Sequence, residues 1–320
     1  MRTPLSIAII GAGVAGLSSA LFLNRHGHDV TLYEKFGAAK PVGSGLLLQP
    51  TGLTVLDQLG LYDAIRALGN PINRLSGRDA LSGKKVLDVR YRPKHGEGVA
   101  FHRSALFDVL YNSVVDAAIP IELNTPVDRV TTQDERALLY CGDTLVGSHD
   151  LVVDCSGSTS VLKGPSPVPR RILEYGALWT SVDWVDIGLD QAALHQRYRR
   201  ASVMIGVLPV GQQSVAGDRR AAFFWSIKPS EYESIREAGF SAWRESVLSF
   251  WPEIAPFVDQ IDGFDDLSLA VYGHHTLRKM VDARLVHLGD SAHSTSPQLG
   301  HGGEYGIARR CCTVLCAANE

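Results

Sequence analysis

The chain has 320 residues, of which 45% are hydrophobic and 20% are charged, and its formal net charge is −3. This length accommodates two domains or one large one, and the composition is that of an ordinary globular protein. The slight acidic excess argues against a nucleic-acid-binding protein or one that binds an acidic membrane surface, because both need a basic patch.

The N-terminal residues predict the start of a dinucleotide-binding βαβ unit. A short apolar run ends in G-x-G-x-x-G, and a helix rich in small residues follows it. In this pattern Gly11 forms the tight turn, Gly13 lets a pyrophosphate approach the backbone, and Gly16 lets the helix pack against the strand. The phosphates would lie at the N-terminus of the helix, where free N–H groups favour negative charge.

An acidic residue follows the second predicted strand. Glu34 lies 18 residues after Gly16, at the end of the run 29–33. An acid at this position is expected to bind a ribose hydroxyl of a dinucleotide. The alternative is a glycine-rich turn between a strand and a helix that binds no ligand.

The middle of the chain predicts alternating helices and strands. Helical spacing of apolar residues predicts helices that begin near Thr51, Tyr62 and Ala105. The remaining segments alternate in β fashion or are short and apolar, and they predict strands at 72–100, 119–123, 127–132, 137–141, 146–149 and 151–153.

After residue 165 the composition shifts to strand-like runs rich in Trp, Phe and Val. They predict an antiparallel sheet formed by 177–182, 203–209 and 221–227. Two helices and two further strands are predicted at 229–238, 241–250, 267–271 and 284–288.

The predicted fold class is α/β. The four short apolar strands at 5–10, 29–33, 151–153 and 284–288 are typical of a buried parallel sheet, and each enters a Gly or Asp turn where doubly wound sheets bind ligands. The prediction is therefore a doubly wound, Rossmann-like domain with an interleaved antiparallel β-sheet domain. The first would comprise 1–71, 97–168 and 272–320, and the second 72–96 and 169–271.

Cysteine usage and the lack of a recognisable targeting signal predict the cellular compartment of the protein. None of the five cysteines forms a C-x-x-C pair, and no His cluster accompanies them, so the sequence predicts neither a metal site nor disulfides. Glycines interrupt the first apolar run, and no run approaches the ~18 residues of a membrane span. These features favour a cytoplasmic protein without a membrane segment.

Three motifs together carry a resemblance to a known family. They are the G-x-G-x-x-G stretch with Glu34, the sequence D-L-V-V-D-C-S-G-S-T-S-V-L-K at 150–163, and L-G-D-S-A-H-S-T-S-P-Q-L-G-H-G at 288–302. The chain resembles the FAD-dependent aromatic-ring hydroxylases, the class A flavoprotein monooxygenases typified by p-hydroxybenzoate hydroxylase. The second motif departs from the family pattern twice, since Ser156 stands where the family usually has Asp and Lys163 where it usually has Arg.

The resemblance implies an FAD site along the chain. Asp290 would bind the ribityl chain, Arg103 would offer its donors to a phosphate or ribose, and the backbone of Val127 would contact the adenine. From the residues alone, a turn-forming Asp290 and a solvated Arg103 are the alternatives. The predicted FAD-binding residues are Gly11, Gly13, Ala15, Gly16, Glu34, Lys35, Gly45, Arg103, Val127, Asp290, Pro297, Gly300 and Gly302.

The resemblance also implies a reaction. NAD(P)H would reduce FAD, oxygen would form a flavin C4a-hydroperoxide, and one oxygen atom would pass to a small aromatic substrate. The substrate would lie between the flavin and the sheet of 170–230, whose aromatic residues are more typical of a core than of a pocket. Those residues are Trp179, Trp184, Phe223, Phe224 and Trp225. No single residue is predicted to be catalytic, and a flavin dehydrogenase or reductase of the same fold is the alternative enzyme.

The sequence departs from the family pattern after Gly302. The family continues roughly G-A-N-x-A-x-x-D-A, whereas this chain continues G-E-Y-G-I-A-R-R-C-C. One choice of codons that encodes 303–310, GGC GAA TAT GGC ATT GCT CGA CGC, gives A-N-M-A-L-L-D when translated one base later, so the genetic code permits the family pattern in that frame without requiring it. The hypothesis is that a one-base frameshift replaced the native tail, which would leave a chain that binds FAD weakly or is inactive.

Overall fold

The computed structural model describes residues 3–39, 45–91, 96–163, 171–200, 202–214 and 216–296. The helices in these ranges are α1 Val14–Arg25, α2 Pro50–Gln58, α3 Tyr62–Leu68, α4 Arg103–Asp116, α5 Tyr232–Ala238, α6 Phe240–Phe250 and α7 Ala255–Val258. The strands are β1 Ser6–Ile10, β2 Asp29–Tyr33, β3 Gly45–Leu48, β4 Asn70–Ile72, β5 Arg74–Asp79, β6 Lys85–Arg90, β7 Gly98–His102, β8 Ile121–Glu122, β9 Arg129–Gln133, β10 Arg136–Cys141, β11 Thr144–His149, β12 Leu151–Asp154, β13 Arg171–Ile172, β14 Gly176–Asp183, β15 Ala193–Arg199, β16 Val203–Gln212, β17 Arg219–Ile227, β18 Ser268–Ala270, β19 Gly273–Thr276, β20 Val281–Asp282, β21 Leu285–His287 and β22 His293–Ser294.

A six-stranded sheet forms the centre of one half of the fold, and its strands come from both ends of the chain. Its strand order is β20-β21-β12-β1-β2-β8, and all neighbours are parallel except β20 and β21. Helices α1 and α4 cover one face, and the small sheet of β9, β10 and β11 covers the other. The central strands are apolar because both of their faces are buried, which confirms the predicted α/β class.

A seven-stranded sheet forms the second half, in the order β18-β14-β17-β16-β15-β5-β6. Every pair is antiparallel except β15 and β5. Helices α6 and α7 cover one face, and strands β3, β4 and β7 contribute to the apolar cluster on the other. The predicted antiparallel sheet over 170–230 is confirmed, although β15 was not predicted.

Alternation along the strands separates the aromatic residues between these two faces. Phe223 and Trp225 pack with the helices, and Trp243 of α6 lies against both rings. Trp179 and Phe224 are paired across β14 and β17, with ring centroids 4.6 Å apart, and Trp179 packs on the opposite face. Four of these five rings are therefore buried core residues, and Trp179 is the one that is less buried.

The order of the parallel strands places the three sequence motifs side by side. Strands β1, β12 and β21 are adjacent, and Ile10, Asp154 and His287 lie level with one another at their carboxyl ends. The glycine loop, the 155–163 loop and the Gly289–Ser291 turn follow these strands directly. All three loops therefore emerge at the same edge of the sheet, where doubly wound folds bind ligands.

One negative finding accompanies this architecture. Within the ranges that the structure describes, no helix has both the length and the apolar character that are needed to cross a membrane.

Candidate functional site

The glycine loop has the geometry that its sequence predicts. Gly11 has φ +98°, and a Cβ atom there would lie 2.8 Å from the carbonyl oxygen of Cys155. A Cβ atom on Gly16 would lie 1.9 Å from the carbonyl oxygen of Gly11, so helix α1 packs against the loop only because position 16 is glycine. Both positions exclude every side chain.

Gly13 differs from these two glycines because it faces open space. No heavy atom lies within 4 Å of a Cβ atom built on it, and no side chain caps the N-terminus of α1. The first turn, which includes Ala15, therefore presents backbone N–H groups at an unobstructed surface. This surface can accept an anionic group close to the backbone.

Glu34 ties the glycine loop to the end of β2. Its carboxylate accepts the N–H of Ala12 at 2.8 Å and that of Phe36 at 3.1 Å, and the residue is 7% exposed. The ammonium of Lys35 is exposed, 4.8 Å from the centre of the Phe36 ring. A buried carboxylate with two backbone donors is held in one orientation beside the loop.

Val127 lies close to this end of the loop. Thr125 donates its N–H to the carbonyl oxygen of Glu34 at 2.9 Å, and the N–H of Val127 donates to the carbonyl oxygen of Thr125 at 2.9 Å. Val127 is buried. The segment 122–127 thus runs beside residues 34–36, and the structure brings Glu34 and Val127 together.

Arg103 and Asp290 lie near each other, although they are far apart in the sequence. Arg103 begins α4 directly after His102, whose ring accepts the N–H of Ser104 at 3.3 Å. Arg103 is an exposed residue, and desolvation by the surrounding protein lowers its pKa, while the charges of Asp290 and Tyr272 act in the opposite direction. The two residues that the sequence predicts to bind FAD, Arg103 and Asp290, therefore lie in the same region of the structure.

Tyr272 lies close to Arg103, and the sequence did not predict a role for it in the site. The indole N–H of Trp179 donates to the Tyr272 hydroxyl at 2.6 Å. Burial raises the pKa of Tyr272, and the Trp179 hydrogen bond and the charge of Arg103 oppose that rise. In the hydrogen bond from Trp179 the Tyr272 hydroxyl is the acceptor, so its own proton is not used there. The sequence carries no signal for Tyr272 because its partners are remote in the chain.

The remaining predicted residues divide into two groups. A Cβ atom on Gly45 would lie 2.5 Å from the Cβ of Ala222 and 2.9 Å from Val210, so close packing of β3 against the seven-stranded sheet already requires glycine there. Pro297, Gly300 and Gly302 lie outside the described residues. In the described ranges, no group of three or more His, Cys, Asp or Glu side chains could hold a metal ion.

A buried carboxylate lies beneath the site. Asp154 is fully buried at the end of β12 and accepts hydrogen bonds from the His287 ring at 2.8 Å, the Ser160 hydroxyl at 2.6 Å, and both the N–H and hydroxyl of Ser156 at 2.9 and 2.6 Å. Burial raises the pKa of Asp154, but these hydrogen bonds outweigh burial and hold the pKa below its ordinary value. Sequence reasoning noted Ser156 and missed the Asp154–His287 pair.

This lowered pKa predicts an acid-dependent loss of stability. The unfolded state protonates Asp154 near pH 4, so its contribution is complete above that pH and is lost as pH falls through the lower pKa of the folded state. Asp154→Asn is expected to lower the free energy of unfolding at pH 7 by about 1.5–3 kcal/mol and to flatten its decline below pH 4. Urea unfolding at several pH values measures both, and parallel pH profiles for the two proteins would contradict the prediction.

Comparison with known proteins identifies the family. The model of a family described as "FAD binding domain" matches residues 4–310, nearly the whole chain. The protein therefore belongs to the FAD-binding domain family, which confirms the family to which the three motifs pointed.

Similar proteins are FAD-dependent monooxygenases of small aromatic compounds. The chain is 24% identical over 302 residues to an FAD-dependent urate hydroxylase of Klebsiella pneumoniae, covering 92% of this chain and 77% of that protein. It is 26% identical to the 3-amino-4-hydroxybenzoate 2-monooxygenase of Streptomyces cremeus, covering 95% of this chain and 76% of that protein.

Solved structures share the fold. A tetrameric 2-methyl-3-hydroxypyridine-5-carboxylic acid oxygenase matches with a TM-score of 0.81 at 19% identity, over 95% of this chain and 79% of that one. The HpxO protein of Klebsiella pneumoniae, complexed with FAD and uric acid, matches with a TM-score of 0.78 at 20% identity, over 98% and 82%.

Proposed function

We propose that the protein is an FAD-dependent monooxygenase that uses NAD(P)H and O₂ to hydroxylate a small aromatic substrate in the cytoplasm. The observation that carries this proposal is that the three motif loops emerge at one edge of the parallel sheet, with Arg103 and Tyr272 near enough for their charges to interact and Asp290 near Arg103. Family membership and the monooxygenase relatives support it.

The residues of the chain fit FAD. The open surface at Gly13 and the first turn of α1 would hold the pyrophosphate, and the fixed carboxylate of Glu34 would accept the ribose hydroxyls of the adenosine. Arg103 would bind a phosphate or ribose oxygen and Asp290 the ribityl hydroxyls. Val127 would lie against the adenine.

Bound FAD would supply electron transfer and oxygen activation, while the chain binds, orients and excludes water. We assign substrate orientation to Tyr272, whose hydroxyl accepts a hydrogen bond from the indole N–H of Trp179 and would donate its own proton to an acceptor on the substrate. The half-buried phenol of Tyr272 favours a substrate ring that carries an oxygen acceptor. Phe224 packs on Trp179 and fixes the indole from behind.

Tyr272→Phe tests the assignment of substrate orientation. Loss of one hydrogen bond to a substrate oxygen is expected to raise KM about tenfold, with kcat changed less than about threefold. Trp179→Phe should raise KM less, because the Tyr272 hydroxyl remains. Steady-state kinetics with Tyr111→Phe as the control measures this, since Tyr111 lies on α4 and stacks on Phe107. An unchanged KM in Tyr272→Phe would remove Tyr272 from the substrate site.

The proposed activity is tested with the purified chain and added FAD. Aromatic acids and purine-type heterocycles are screened for stimulated consumption of NADH or NADPH, and products are analysed by mass spectrometry under ¹⁸O₂. Incorporation of one ¹⁸O atom supports a monooxygenase. Consumption of NAD(P)H without labelled product favours the flavin reductase alternative.

The frameshift hypothesis for residues after Gly302 has a separate test, because that segment lies outside the described residues. The gene is sequenced, and the frame one base later is translated beyond codon 303. A helix of the type A-N-M-A-L-L-D in that frame would support a lost native tail, whereas unrelated sequence would exclude it. An absorption spectrum without bound flavin, after FAD has been added, would support an inactive chain.

A further inference from the structure

Asp154 contacts the 155–163 loop through its side chain. Oδ1 accepts the backbone N–H and the hydroxyl of Ser156, and Oδ2 accepts the hydroxyl of Ser160. Ser160 also accepts the N–H of Leu162, so the carboxylate organises the loop over several residues.

The same residue contacts the Gly289–Ser291 turn through its backbone. The carbonyl oxygen of Asp154 accepts the N–H of Leu288 at 2.9 Å and the buried hydroxyl of Ser291 at 2.6 Å. Oδ2 accepts the Nδ1–H of His287, which is 5% exposed. Asp154 therefore bonds to three of the residues that flank Asp290.

The glycine loop packs on Cys155 and Ser156, the two residues that follow Asp154 in the chain. Cys155 donates its N–H to the carbonyl oxygen of Ile10 at 2.8 Å, and the space at Gly11 is bounded by Cys155 and Ser156. A displacement at Asp154 would thus reach all three ligand-binding loops. Asp282 of β20 also lies near His287: its hydrogen bond from Lys279 is the main cause of its lowered pKa, and the charge of His287 acts in the same direction.

We propose that the buried Asp154–His287 pair is a positioning unit that holds the 155–163 loop and the Gly289–Ser291 turn in register, so that FAD affinity depends on side chains that do not contact FAD. The affinity part of this inference rests on the proposed FAD site. The coupling of the two loops is a property of the FAD-free chain.

Hydrogen exchange of the FAD-free chain tests the coupling. In Asp154→Asn, one amide nitrogen replaces a carboxylate acceptor, and exchange at both 155–163 and 288–292 is expected to rise at least threefold. His149→Asn is the matched control, since the buried His149 ring bonds to Ser6 and Tyr33 instead. It should leave both segments unchanged. A rise in one segment alone, or the same rise in the control, would overturn the proposal.

Titration with FAD, followed by flavin fluorescence, tests the affinity. His287→Ala and Asp154→Asn should each weaken FAD binding about tenfold, and the double variant should be little weaker than either. His287→Asn keeps a donor near Nδ1 and should restore affinity to within about threefold of the original. Normal FAD binding by both single variants would refute the positioning role, whereas failure of the unsubstituted chain to bind FAD would refute the proposed FAD site and leave the exchange experiment to decide the coupling.

Discussion

Gly16→Ala is expected to abolish tight FAD binding and to lower the free energy of unfolding by about 3 kcal/mol, at the upper end of what overpacking costs. The added methyl group would lie 1.9 Å from the carbonyl oxygen of Gly11, and neither partner is a flexible side chain. Helix α1 must therefore move away from the loop. That movement displaces the N–H groups that we assign to the pyrophosphate.

Gly13→Ala separates ligand binding from folding. Its methyl group meets no atom within 4 Å, and φ at Gly13 is −78°, which alanine adopts without strain. The free energy of unfolding should fall by at most about 1 kcal/mol, the cost of a poorer N-cap. FAD affinity should nevertheless fall at least tenfold, because the methyl group occupies the proposed path of the pyrophosphate.

Urea unfolding without FAD, and FAD titration monitored by fluorescence, measure both variants. The expected pattern is loss of stability and affinity in Gly16→Ala, and loss of affinity alone in Gly13→Ala. A Gly13→Ala protein with unchanged FAD affinity would place the pyrophosphate elsewhere. A Gly16→Ala protein of normal stability would show that the helix and loop can separate at little cost.

The parallel sheet and the glycine loop could be predicted because their signals are local. The turn at Gly11, the tight packing at Gly16 and the acid at Glu34 all lie within one βαβ unit, so their spacing along the chain determines their spacing in space. The same applies to the antiparallel strands β14, β16 and β17, whose apolar and aromatic residues are typical of strands.

Features that depend on register between remote strands could not be predicted. Asp154 and His287 meet because β12 and β21 are parallel neighbours with these residues level, a relation between segments 133 residues apart. Strand β15 is rich in His, Gln and Arg and carries no strand pattern; it forms because β5 and β16 pair with its two edges. Tertiary pairing overrides weak local preference there.

Gly45 shows how one pattern can have two physical causes. From the sequence, Gly45 is predicted to bind FAD, whereas the structure supplies a packing reason for glycine in the side chains of Ala222 and Val210. A glycine in the sequence signals only that a side chain does not fit, and it does not identify the neighbouring atom. The neighbouring atoms belong to Ala222 and Val210 of the seven-stranded sheet, and the packing of that sheet against β3 cannot be inferred from the sequence around Gly45.

Glu34→Ala is expected to have the second large effect, because Glu34 serves both the loop and the proposed ligand. Truncation leaves the buried N–H of Ala12 without its acceptor, at about 1–3 kcal/mol, and removes the acceptor of the part-buried N–H of Phe36 as well. It also removes the acceptor proposed for the ribose hydroxyls. FAD affinity should fall at least a hundredfold, and the free energy of unfolding should fall as well.

Glu34→Gln should give an intermediate result that identifies the cause. Glutamine retains one acceptor, so only one of the two backbone N–H groups loses its partner. We expect affinity to fall about tenfold, with the stability loss about half that of Glu34→Ala. Glu122→Gln is the control, because it removes an exposed carboxylate from the residue whose backbone oxygen accepts the Glu34 N–H.

Measured by FAD titration and urea unfolding, Glu122→Gln should match the unsubstituted protein in both quantities. If Glu34→Gln bound FAD as tightly as the unsubstituted chain while losing stability, Glu34 would serve only to hold the glycine loop. If FAD affinity fell equally in Glu34→Gln and Glu122→Gln, the cause would be the net charge at the adenosine end of the proposed FAD site. Only a loss of FAD affinity that is specific to Glu34, and larger in Glu34→Ala than in Glu34→Gln, assigns its carboxylate to the adenosine ribose.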